Sequence, residues 1–127
     1  MAKAETLQAQ SPKTAAALSK AVVRAARSLE LSQQEFASIT KMSVPQTSRL
    51  WTGTYELSPN KADEWELAIL FFRTYRSLHT ITGNNSDSIK WLKSFNHSFA
   101  TTPLDKMQSV EGLVRVVSYL DAHRGNV

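Results

Sequence analysis

Apolar positions in this chain recur every three or four residues over most of its length, and the two-residue alternation of a half-buried strand is scarce. Ser11-Pro12 opens a first helix on which Ala15, Leu18, Val22, Ala25, Ala26 and Leu29 share a face. Two short helices follow between Leu31 and Gly53. Ser32-Gln33-Gln34-Glu35 has the form of a capping box, in which the Ser hydroxyl takes a backbone N–H of the first turn while Glu reaches back to the cap. Ser43-Val44-Pro45-Gln46 repeats the device, with Pro in the first turn where its missing N–H costs little. Gly53 stands where a left-handed cap ends the second helix. Tyr55-Glu56-Leu57 reads as a loop, and Ser58-Pro59 opens a long helix to about His79. Its broad apolar stripe runs through Trp65, Ile69, Phe72 and Arg76, with Ala68 and Tyr75 beside it. Thr82-Gly83-Asn84-Asn85 is the clearest break. Three more short helices are predicted beyond it. One starts at Ser86 or Asp87, carries Ile89, Trp91 and Leu92, and ends at Phe95-Asn96. Thr102-Pro103-Leu104-Asp105 starts a piece of one or two turns, and Ser109 caps the last helix, which faces inward through Leu113, Val116, Val117 and Leu120 and stops at Gly125. The fold class is all-α.

The pair between Leu31 and Gly53 carries the functional signal. Phe36, Ala37, Thr40, Met42, Thr47 and Leu50 are spaced to pack one short helix across another. Ala37 is small at the crossing, Thr47 packs against it, Met42 anchors the turn and Leu50 closes the unit. This is the pattern of a helix-turn-helix, whose second helix enters the major groove of DNA. Val44, Pro45, Gln46, Ser48 and Arg49 are left facing outward. The amide of Gln46 suits adenine, Arg49 suits guanine or a phosphate, and Gln33 would fix register on the backbone. Lys41 stands at the turn position that usually wants glycine. Either the turn is altered or Lys41 enters the left-handed region at a steric cost, offset by a phosphate contact. The candidate DNA-binding residues are therefore Gln33, Lys41, Val44, Gln46, Ser48 and Arg49.

Charge strengthens this reading. The net charge is +4, and from Leu18 to Gly53 five bases face two acids, whereas from Gly83 to Val127 five bases face four acids. The excess sits where phosphate contacts would use it. Composition excludes other classes. With 42% hydrophobic and 20% charged residues the chain is an ordinary folded protein. It has no cysteine, hence no disulfide framework or thiolate zinc site, which fits a reducing cytoplasm. The apolar run Leu67–Phe72 is too short to span a membrane, and Met1–Gln10, lacking the apolar core of a signal peptide, reads as a frayed tail. His79, His97 and His123 are scattered without ligand spacing, and no Ser or Thr has an evident base. No metal, cofactor or enzymatic activity is expected.

The carboxy-terminal segment carries an ordered set of short motifs: Ile89-Lys90-Trp91-Leu92, Phe95-Asn96, Phe99, Thr102-Pro103-Leu104-Asp105, Ser109-Val110-Glu111-Gly112, Val116, Leu120 and Arg124-Gly125. This order resembles the toxin-binding domain of the Xre/MbcA/ParS antitoxin family, in which a Trp-Leu pair, an Asn, a Pro-Leu-Asp step, a Glu-Gly and a near-terminal glycine follow one another. That family often places an Xre-like helix-turn-helix before the domain, as Leu18 to Gly53 would here. The resemblance implies an antitoxin of a type II toxin–antitoxin pair, whose partner is a RES-type toxin that consumes NAD or transfers ADP-ribose from it. It also implies repression of the shared operon through the helix-turn-helix. The final helix and tail would cover the toxin's active site, with Tyr119, Asp121, His123, Arg124, Gly125, Asn126 and Val127 as the toxin-binding residues. The organisation expected is a flexible tail over 1–11, a helix-turn-helix domain over 12–80 and a small helical toxin-binding domain over 81–127. A homodimer is expected from two-fold operators, with Trp65, Phe71 and Phe72 as candidate contacts. The alternative is a stand-alone transcriptional regulator whose carboxy-terminal part dimerises or senses a ligand.

Overall fold

In the computed structural model, which describes the backbone of residues 2–125 and the side chains of residues 15–124, seven helices follow one another. α1 (Ala2–Ser28) leads to the short pair α2 (Gln33–Thr40) and α3 (Val44–Thr52), then to the long α4 (Ala62–Thr82). α5 (Asn85–Lys93), the single turn α6 (Pro103–Lys106) and α7 (Val110–Gly125) complete the order. Among the described residues, extended pairing is confined to one antiparallel bridge between Asn96 and Thr101, in the loop between α5 and α6.

Capping chemistry sets most of these boundaries. The Ser32 hydroxyl accepts from the Glu35 amide at 3.0 Å and the Glu35 carboxylate accepts from the Ser32 amide at 2.8 Å, a complete capping box. At α3 the box is half made. Ser43 Oγ accepts from the Gln46 amide at 3.2 Å, but the Gln46 side chain is turned to Arg49. Asn84, Thr102 and Ser109 cap α5, α6 and α7 through the amides of Asp87, Asp105 and Gly112. α1 to α4 each run out into a left-handed residue: Glu30, Lys41, Gly53 and Gly83.

Two helix starts differ from the sequence reading. Ser58-Pro59 makes a turn closed by the Lys61 amide on the Ser58 carbonyl, and α4 begins at Ala62. α1 begins at Ala2, so Ser11-Pro12 lies within it and residues 2–11 are helical rather than a tail. Ala, Leu, Gln, Glu and Lys dominate that stretch, and all are strong helix formers.

α4 is the axis of the molecule, with α1, α2, α5 and α7 packed against it. α7 runs beside α4 in the same sense. Its start lies near Lys41, which neighbours Lys61 and Ala62, and its distal part meets Arg73 and Ser77. One continuous core extends from Val22 on α1 to Leu120 on α7 and crosses both expected domains. The buried face of α4 is Leu67, Ala68, Phe71, Thr74, Ser77 and Leu78. That corrects the expected stripe: Trp65, Phe72 and Tyr75 are half-buried flanks, and Ile69 and Arg76 are exposed. The helix is apolar most of the way round, so its own period does not select a face; its neighbours do. Phe71 is fully buried, edge-to-face with Phe36 at 5.2 Å, and is withdrawn as a dimer contact.

Candidate functional site

The α2–α3 unit closes as its spacing predicts. Phe36, Ala37, Ile39, Thr40, Met42, Thr47 and Leu50 are buried, and Phe36 meets Trp51 edge-to-face at 5.1 Å. Burial of Thr47 and Leu50 turns the opposite side of α3 outward: Val44, Pro45, Arg49 and Thr52 are exposed and Ser48 is half-buried. Gln46 leaves this ridge. It is half-buried beside the Tyr55 hydroxyl, and its Oε1 accepts from Arg49 Nη1 at 3.0 Å. Gln46 and Arg49 therefore form one polar unit in which the amide orients the guanidinium. The Tyr55 hydroxyl donates to Glu64 and ties this flank to α4; burial, then that bond, raises its pKa above the ordinary tyrosine value. Gln33 is the first residue of α2 and half-buried.

Lys41 settles the question of the turn. It adopts φ 61° and ψ 28°, so the helix-turn-helix keeps its usual geometry and a side-chain-bearing residue takes the left-handed position. Its ammonium donates to the Gln108 carbonyl at 2.5 Å, between α6 and α7. Lys41 stays exposed, and this contact uses one of its three ammonium donors to tie the turn to the α6–α7 junction. Gln108 carries no sequence signal for this role, because the partners are far apart in the chain.

At the other end, Tyr119 is half-buried among rings, with centroids of Trp91 at 6.1 Å, Phe99 at 5.1 Å and His123 at 4.1 Å. His123 Nδ1 donates to the Tyr119 carbonyl at 2.8 Å, and the ring stays exposed. Asp121 is not a free anion: it accepts from Arg73 and, at 2.8 Å, from the Ser77 hydroxyl, with Arg124 at 3.8 Å. Its carboxylate is partly exposed and anchors α7 to α4. Arg73 and Ser77, which supply that anchor, are the residues that sequence reasoning missed. Arg124 is exposed and Gly125 ends the described helix. Asn126 and Val127 lie outside the described residues.

The histidines sit apart, each against an aromatic ring: His79 on Tyr75, His97 on Phe95 and His123 on Tyr119. Among the described residues no group of three His, Asp or Glu side chains is placed to hold a metal, and no helix is long and apolar enough to cross a membrane.

Comparison with known proteins agrees with this geometry. The antitoxin Xre-like helix-turn-helix domain matches residues 9–73, and the antitoxin Xre/MbcA/ParS C-terminal toxin-binding domain matches residues 77–125. No curated protein matches the chain. The two matches meet within α4, the helix that both halves of the core share. With its helix-turn-helix and its toxin-binding domain in that order, the chain belongs to the Xre/MbcA/ParS antitoxins.

Proposed function

We propose that this antitoxin neutralises a RES-type, NAD-consuming or ADP-ribosylating toxin by covering its active site with the distal end of α7, and that as a homodimer it represses its own operon through α3. It acts by binding and performs no catalysis, and its place is the cytoplasm beside that toxin. The observation that carries the reading is the anchoring of Asp121. Two bonds to α4, from Arg73 and Ser77, hold the distal part of α7 in place as a fixed base. A neutralising tail needs such a base, because a chain end that must order on binding loses affinity to its own entropy. Tyr119, His123 and Arg124 lie on the distal part of α7, and Gly125, Asn126 and Val127 follow in the sequence. Arg124 suits an acidic catalytic residue of the toxin, and the Asn126 amide suits a pocket built for a pyrophosphate.

Deleting Arg124–Val127 tests it. The last inward-facing residue of α7 is Leu120, so the truncated chain keeps its core. Co-expressed with the product of the neighbouring gene, it is expected to co-purify yet fail to protect the cell. Full protection by the truncated chain would mean that inhibition works by coverage elsewhere. Absence of any complex with the full-length chain would favour the stand-alone regulator.

A further inference from the structure

Lys20, Arg24 and Arg27 follow at intervals of four and three residues on α1, all exposed, and none has an acidic partner among the described residues. That spacing puts them on one face of the helix. The same three side chains line a groove of about 500 Å³ between α1 and the end of α3, with Trp51, Thr52 and Thr54 on the opposite wall. The guanidinium of Arg27 lies 5.9 Å from the centre of the Trp51 ring, which fixes the stripe to α3. On α3, Trp51 borders the outward ridge of Val44, Pro45, Ser48, Arg49 and Thr52 on the side opposite Gln46.

We infer that Lys20, Arg24 and Arg27 form a second DNA contact, a cationic rail that takes the phosphates of one operator strand while α3 lies in the adjacent major groove. This rests on the proposed DNA binding of α3 and extends its footprint. Three arguments support it. The α2–α3 unit brings DNA only two cations, Lys41 and Arg49, against the acid Glu35, and one ammonium donor of Lys41 is taken by the Gln108 carbonyl. A recognition helix must be positioned by backbone contacts before it can read bases. From Lys20 to Arg27 the rail covers about 10 Å, close to three nucleotides of rise along a strand. Glu56 on the far wall of the groove keeps the positive edge on α1.

The test is the salt dependence of binding to two labelled duplexes of about 30 base pairs, one from upstream of the protein's own gene and one of scrambled sequence. Lys20→Gln/Arg24→Gln removes two rail charges and spares Arg27, whose packing on Trp51 belongs to the fold. Lys90→Gln/Lys93→Gln on α5 removes the same charge elsewhere, and Arg24→Lys keeps it. The rail variant is expected to lower the slope of log K against log [salt] by about 1–2 and weaken both duplexes alike. The α5 variant and Arg24→Lys should leave the slope within experimental error. Equal loss in the rail and α5 variants, or no loss in the rail variant, would overturn the inference while leaving α3 as the reader. If the unaltered protein binds neither duplex at low salt, the DNA reading itself fails and takes the rail with it. Thermal melting of each variant confirms that the fold is intact.

Discussion

Two single residues carry constraints of opposite kinds. At Gly112 a Cβ would fall 1.8 Å from the Lys106 carbonyl oxygen, backbone that ends α6, so the first turn of α7 reaches α6 only because no side chain intervenes. Gly112→Ala is expected to destabilise by about 3 kcal/mol, read by chemical denaturation, since neither helix yields cheaply. A stability within experimental error of the parent would mean that α6 shifts freely. Lys41 instead bears strain while its ammonium crosses to Gln108. Lys41→Ala keeps the strain and loses the bond, whereas Lys41→Gly loses both. The glycine variant should therefore be the more stable of the two by about 1 kcal/mol. Equal stability would show that the left-handed turn costs little here. Gly112 stands in the Glu-Gly step that the sequence already displays. The Lys41 contact was not legible, because a cation in a turn has no visible partner until α6 and α7 are packed beside it.

Among the elements, local chemistry was readable and pairing was not. The caps at Ser32, Ser43, Thr102 and Ser109 follow from a few neighbouring residues, as does the crossing of α2 on α3. The buried face of α4 does not, because Trp65, Ile69 and Phe72 have as much apolar claim as Leu67, Phe71 and Leu78. The choice is made by α1, α2, α5 and α7, which come from both ends of the sequence. Asp121 belongs to the same class, since its anchor on Arg73 and Ser77 spans more than forty residues. The pair is partly exposed, so Asp121→Ala should cost only about 1 kcal/mol of global stability. Its effect on the end of α7 should be larger: amides beyond Tyr119 are expected to exchange faster with solvent, and protection from the toxin to fall, while the α2–α3 amides stay unchanged. Unaltered exchange at the end of α7 would remove Asp121 from the account of neutralisation.

At the scale of the molecule, one core supports both proposed interfaces. The ridge of α3 is fixed by Phe36, Thr47 and Leu50, whereas the end of α7 is fixed by Leu120 and the Asp121 anchor. α7 starts near the helix-turn-helix, where Gln108 meets Lys41, and Asp121 lies about 17 Å along it from Val110. A substitution confined to one end should therefore spare the other, while a lesion in the shared core, such as Gly112→Ala, should harm both. Arg49→Ala is the sharpest case. Arg49 is exposed on the α3 ridge and contacts Gln46, so its loss removes a reading group without opening the core. It is expected to lower operator preference by about 1–3 kcal/mol in binding to the upstream duplex against a scrambled one. Neutralisation, scored by growth on co-expression with the toxin, should be unchanged. An unchanged preference would withdraw Arg49 as the base-reading residue and point to Val44 and Ser48, which share its ridge. Loss of neutralisation with an intact fold would place the helix-turn-helix itself against the toxin, so that operator and toxin compete for one surface.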